Sequence, residues 1–194
     1  MLWLLCSPWP AQALELALFQ VNGEGQDYTV HAQGVVNSPA RLIVERITDY
    51  AHLSDINQIV RSSTILEGAA HENALVRVEA RACFLIYCTT KIAIQRYTLE
   101  PGRVRVEILP NKGHFKGENL VWEFKELEGN RTEFKLHSHI QPDFWIPPMV
   151  GSWVVRGLLS QEARGTLTTL DRLGGSTAPV PRPDPLNWDH APPR

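Results

Sequence analysis

Residues 74–100 read ALVRVEARACFLIYCTTKIAIQRYTLE, and the path of the chain through them decides the fold. The first part alternates strictly. Val76, Val78, Ala80 and Ala82 take turns with Arg77, Glu79 and Arg81, which is the period of a half-buried strand. Yet the stretch holds no Gly, Pro, Asn, Asp or Ser, the residues that most often turn a chain. Fully extended, it would span ~89 Å, longer than any strand of a domain this size. The chain must therefore reverse near the middle. The reversal is expected at CFLIYC (83–88), as a hairpin whose loop is the four apolar residues Phe84, Leu85, Ile86 and Tyr87.

The two cysteines of that stretch bear on the same question. Along one straight strand they would stand ~16 Å apart, outside bonding reach. Across a hairpin they face each other, so a Cys83–Cys88 disulfide and the hairpin imply one another. The chain has three cysteines. If Cys6 leaves with a leader, an even pair remains, which in an oxidising compartment fits a bridge. The alternative is two free cysteines acting as small buried hydrophobes. Pairing Cys83 with Cys88 sets Ala80 against Lys91 and Glu79 against Ile92, a register that is not cleanly amphipathic. The tip residues 84–87 either fold inward as core or form an exposed apolar patch. Such a patch suits peripheral contact with a membrane or the mouth of a cavity.

Upstream, Asp27–Asn37 alternates and predicts the first strand. Ser38 and Pro39 are placed to open a helix, as N-cap and first helical residue. Leu42, Ile43, Ile47 and Tyr50 then fall at helical spacing, and 51–60 continues as a second short helix or turn. Strands are expected at 61–66, 103–109, 119–127 and 131–140, besides the pair made from 74–100. The last element is a helix from Pro147 to about Leu173. It would be ~39 Å long, enough to cross a seven-strand sheet ~29–34 Å wide. The order is strand, two short helices, about six strands and one long helix: an α+β layout with a meandering antiparallel sheet.

The ends differ from the middle. MLWLLCSPWPAQA (1–13) is apolar and closes on Ala11-Gln12-Ala13, as the remnant of a secretory signal would. A periplasmic or secreted location follows from that reading, a cytoplasmic one from its failure. Residues 175–194 hold six of the 14 prolines and are expected to be a disordered tail. The folded part is then 25–174. A net charge of −2 with scattered Lys and Arg offers nothing to nucleic acid. No phosphate loop, zinc spacing or catalytic triad stands out, and no cofactor is implied.

The first half of the last helix, PPMVGSWVVRGLL (147–159), is apolar nearly all round with small residues between the bulky ones. Such a helix is buried in core, or it walls a cavity. VVNSPARLIVERITDYAHLSDI, NKGHFKGENLVWEF and PDFWIPPMVGSWVVRGLLSQEARGTLTTLDRL resemble the START-like superfamily of polyketide cyclases and coenzyme Q-binding proteins, over about residues 28–173. The resemblance implies a helix-grip fold: a curved antiparallel sheet wrapped around the long C-terminal helix, with two short helices between strands 1 and 2. It also implies an apolar cavity between sheet and helix for a lipid, quinone or polyketide-like molecule.

On that reading the cavity walls are Val76, Val78, Val104, Val106, Trp122, Phe124, Phe134 and Leu136 on the strands, and Met149, Val150, Trp153 and Gly157 on the helix. Trp122 and Trp153 bring the largest amphipathic surfaces. A binder or carrier is the first expectation. A cyclase or hydrolase acting in the same cavity is the second, with Arg156, Tyr97 and His114 as the groups to test, and an envelope protein that docks another through its hairpin is the third. His137 and His139 share one strand face with Glu133 and Lys135. That face reads as solvated, and no metal site is expected there.

Overall fold

A computed structural model describes residues 14–84, 87–143 and 151–173. The expected leader 1–13, Leu85 and Ile86, Met149 and Val150, and the tail 175–194 lie outside the described residues, as do the side chains of Cys83, Phe84 and Tyr87. Ten strand and helix elements follow in chain order: β1 (Glu15–Glu24), β2 (Asp27–Val36), α1 (Ala40–Ile47), β3 (Val60–Glu67), β4 (Ala74–Phe84), β5 (Tyr87–Glu100), β6 (Arg103–Ile108), β7 (Phe115–Leu127), β8 (Arg131–Pro142) and α2 (Gly151–Leu173). A single 3₁₀ turn, Leu53–Asp55, lies between α1 and β3.

The strands form one curved antiparallel sheet of eight, in the order β1-β2-β8-β7-β6-β5-β4-β3. From β3 to β8 each strand pairs with the next in sequence. The one long crossing runs from β2 through α1 and the 3₁₀ turn to the far edge at β3. The long helix α2 lies against β1, β2 and α1. This is the helix-grip arrangement that the resemblance implies.

The hairpin at 74–100 is present, in the awkward register. Cys83 stands opposite Cys88, Ala80 opposite Lys91 and Glu79 opposite Ile92. Pairing continues one step further, to Phe84 and Tyr87. The connection is therefore two residues long, Leu85–Ile86, and not the four expected: backbone pairing runs past the cysteines whatever the side chains at the tip.

Three other expectations need correction. The first strand is β1, so the sheet has eight strands and the folded part begins at 15, not 25. β1 is an edge strand on which six of ten residues are exposed and none is fully buried, so its alternation is faint beside the apolar leader-like stretch before it. The two short helical elements consequently follow strand 2. Ser38 does not cap α1. The helix begins at Ala40 after Pro39 and has no side-chain cap; Ser38 is fully buried, and its carbonyl accepts the Thr132 hydroxyl at 2.7 Å.

The core lies between the sheet and its helices. Alternate residues of β2 (Tyr28, Val30, Ala32, Val36) and β8 (Phe134, Leu136) turn inward and are buried. Ala32, Val36, Phe134 and Leu136 join Ile43 and Ile47 of α1 and Leu167 and Leu170 of α2 in one cluster. Each such side chain stabilises the fold by about 1.5–3 kcal/mol. The end of α2 is pinned by Asp171, whose Oδ1 accepts the Asn37 backbone N–H at 2.8 Å and its side-chain amide at 3.2 Å.

Candidate functional site

Where the inner face of the sheet passes under the middle of α2, its apolar pattern breaks. Register aligns the inward residues of neighbouring strands. Glu118 of β7 stands beside Ile140 of β8 and Ile108 of β6, and Ile108 stands beside Gln95 of β5. One step along, Ser138, Leu120, Val106 and Tyr97 form the next inward row. The polar members of the two rows pair with each other: Ser138 Oγ donates to Glu118 Oε1 at 3.2 Å, and the Tyr97 hydroxyl donates to Gln95 Oε1 at 2.9 Å. From above, α2 adds Glu162, whose Oε1 accepts the Asn57 side-chain amide at 2.8 Å. Asn57 is held by its place after the 3₁₀ turn, where its Oδ1 also takes the Ile59 backbone N–H at 3.1 Å.

The electrostatics follow from that placement. Burial disfavours charge on Glu118, the neighbouring Glu162 adds repulsion, and the Ser138 hydrogen bond offsets only part of this. The Glu118 carboxyl is pushed up to about 7. Glu162 is raised as well, by burial, against the lowering effect of the Asn57 amide. Burial raises the Tyr97 hydroxyl, and the charges of Tyr50 and Glu118 add to it. The Tyr50 ring lies 4.5 Å from that of Tyr97 and tilted 52° to it, held by a 2.7 Å bond from its hydroxyl to the Glu72 carbonyl.

Glu118, Leu120, Gln95 and Ile140 face inward yet stay partly accessible, whereas Val76, Val104, Val106 and Phe134 are buried completely or nearly so. The inner face is therefore tightly packed around Val76, Val104, Val106 and Phe134 and looser around Glu118. The loose part is where polar groups converge. A carboxyl that titrates near neutrality in such a place can hold or release a proton at working pH, or accept a hydrogen bond from a guest.

The residues expected from sequence divide into three groups. Val76, Val78, Val104, Val106, Trp122, Phe134 and Leu136 come together in one buried cluster, with Phe124 packed against it. Trp122 stacks on Phe124 at 5.9 Å between ring centroids and meets Phe134 at 6.3 Å. Their contacts are with one another and with Leu167 and Leu170, so as a set they are packed core next to the looser region. Trp153 is 66% exposed and Gly157 is exposed; the turn of α2 that carries them sends Val154 inward. Met149 and Val150 lie outside the described residues.

Of the groups named for chemistry, Tyr97 alone is at the polar cluster. Arg156 is exposed. His114 staples a turn: its Nδ1 accepts the Ile92 backbone N–H at 3.0 Å, and its own N–H donates to the Ile92 carbonyl at 2.9 Å. On the outer face, His137 Nδ1 lies 3.2 Å from His31 Nδ1, and His139 Nε2 contacts Asp27. No group of three metal-ligating side chains forms among the described residues.

Sequence reasoning missed Glu118, Glu162, Ser138, Gln95 and Asn57. One signal was available: NLVWEFKEL alternates, and extending its period backwards from Trp122 and Leu120 puts Glu118 on the inward face. An acidic residue in an apolar row is the mark of a buried polar site.

Residues 36–164 match the family described as polyketide cyclase/dehydrase and lipid transport. No protein of curated function matches the sequence. Among solved structures, a STAR-related lipid transfer protein from Xanthomonas axonopodis superposes with a TM-score of 0.59 at 14% identity, over 81% of this chain and 99% of its own. A START superfamily protein from Mycobacterium smegmatis gives 0.57 at 16% identity, over 75% and 98%. The Zhui aromatase/cyclase from Streptomyces sp. R1128 gives 0.56 at 18% identity, over 77% and 92%. At these identities the likeness is one of fold.

Proposed function

The chain belongs to the polyketide cyclase/dehydrase and lipid-transport family, and from that premise we propose that it binds a hydrophobic small molecule between the sheet and α2. The apolar body of the ligand lies along the inner strands, and its polar end meets Glu118. One observation carries the reading: an inner face lined by buried apolar side chains becomes polar at Glu118, Ser138, Gln95 and Tyr97, with Glu118 and Gln95 partly accessible. Buried carboxyls without a counter-charge are costly, and a ligand that engages them offsets that cost. The lipid transfer protein and the aromatase/cyclase of like fold are consistent with such a ligand.

Native mass spectrometry of the purified chain, followed by a denatured spectrum, tests this. The native mass is expected to exceed the polypeptide by a bound apolar molecule, and Leu120→Trp, which fills the looser part of the inner face, is expected to empty it. A chain that carries no adduct and takes up no neutral hydrophobic probe would defeat the reading.

A second reading, a cyclase or hydrolase, is favoured by one specific feature. Glu118 and Glu162 supply two inward carboxyls, the first near 7, which suits general acid–base work. It predicts turnover of a polyketide-like substrate that Glu118→Gln abolishes while binding survives. Export to an oxidising compartment with a Cys83–Cys88 bond belongs to the same proposal. The geometry such a bond needs is met in the backbone, where Cys83 stands directly opposite Cys88. Membrane contact through residues 84–87 would suit delivery of such a ligand.

A further inference from the structure

We infer that the polar end of the ligand is neutral or cationic and donates hydrogen bonds, so that long-chain alcohols and amines enter while fatty acids and other anionic amphiphiles are turned away. The inference rests on the ligand-binding reading above and specifies its ligand class.

Two independent features point the same way. The first is the sign of charge. Glu118 and Glu162 face the same space, and neither makes an ion pair among the described residues. Of the basic side chains of α2, Arg156 is exposed, with its charge reaching Tyr28 of β2, and the Arg164 guanidinium sits 4.2 Å over the Phe19 ring of β1. An entering carboxylate or phosphate would meet like charge at Glu118 and Glu162, neither of which is ion-paired. An ammonium would gain a charge-assisted hydrogen bond instead.

The second feature is the count of donors. The hydroxyl donors at the site are already engaged: Ser138 donates to Glu118, and Tyr97 donates to Gln95. One Asn57 amide hydrogen goes to Glu162. What faces a guest is then mostly acceptor: the second oxygens of both carboxylates and the lone pairs of the two hydroxyls. Among the described residues of the cluster, the amide hydrogens left on Gln95 and Asn57 are the remaining side-chain donors. A site rich in acceptors and poor in donors selects a guest that donates.

The test uses the full chain and a neutral fluorescent reporter, N-phenyl-1-naphthylamine, displaced by three probes of equal chain length: dodecylamine, dodecan-1-ol and dodecanoate. At about pH 8, the amine and the alcohol are expected to displace the reporter at roughly tenfold or more lower concentration than dodecanoate. In the Glu118→Gln, Glu162→Gln double variant, dodecanoate is expected to come within about threefold of the alcohol. A thermal melt checks that this variant folds, and the wild-type comparison needs no variant. Dodecanoate displacing as well as dodecanol in the wild type, or an unchanged gap in the double variant, would overturn the inference and leave the ligand-binding reading standing. Failure of the reporter itself to enter would remove that reading and the inference together.

Discussion

Replacing Glu118 by Gln should make the protein more stable at neutral and alkaline pH, and the pH profile tells why. The carboxyl has an ordinary value of 4.5 and is raised to about 7 in the folded chain. Below the lower value both folded and unfolded states are protonated, and Glu118 costs nothing. Between the two values the unfolded chain has released its proton while the folded chain still holds it. Stability therefore falls as pH rises, by at most about 1.4 kcal/mol per pH unit. Above about 7 both states are ionised and the loss is complete, at up to about 3 kcal/mol. Glu118 is only part-buried, so water on its open side screens the charge, and about 1–3 kcal/mol is the expected range.

Glutamine keeps the shape and one acceptor for Ser138 without the charge. Urea denaturation at several pH values between about 4.5 and 8 measures both curves. The wild type should weaken across that range. The variant should show a shallower slope, because Glu162 still contributes in the same direction. The two should nearly coincide at the acid end and separate by about 1–3 kcal/mol at the alkaline end. A wild-type curve that stays flat from about pH 5 to 8, or a variant less stable than wild type at about pH 8, would refute the argument that Glu118 is held uncompensated at the inner face.

Two further outcomes can be measured. Phe134→Ala removes a 1%-exposed ring that packs against Trp122; it should cost about 3–5 kcal/mol in chemical denaturation, and a cost under about 1 kcal/mol would mean that the cluster is not the packed core described. Cys83→Ser should lower stability by about 2 kcal/mol relative to oxidised wild type, the small value expected for a short closed loop, and should match wild type treated with reductant; equal stability of the reduced and oxidised wild type would remove the disulfide as a stabilising link.

The fold was legible at the level of elements and their order. Strict alternation at 75–82 and 103–109 and the helical stripe at 42–50 named their own periods, because each element buries one face and the pattern is the face. The absence of turn residues in 74–100 forced a hairpin on length alone. The same local logic failed at β1, an edge strand that buries too little to pattern its sequence. It failed also at Ser38, where a serine–proline start suggested a cap, but the side chain is fully buried with its hydroxyl unpartnered and α1 starts without a side-chain cap.

The candidate site divides along the same line. Sequence alone determined that Val104, Val106, Trp122, Phe134 and Leu136 would share an inward face, since alternation fixes facing within a strand. It could not determine whether that face would be closed or open, because closure depends on where α2 lies and which of its turns points down. The tertiary structure decided that Trp153 looks outward and Val154 inward. It also decided that Glu118, Ser138, Tyr97 and Glu162 converge. They come from three strands and a helix, up to 65 residues apart in the chain. Their shared electrostatics belong to cross-strand register and helix docking, which no local pattern encodes.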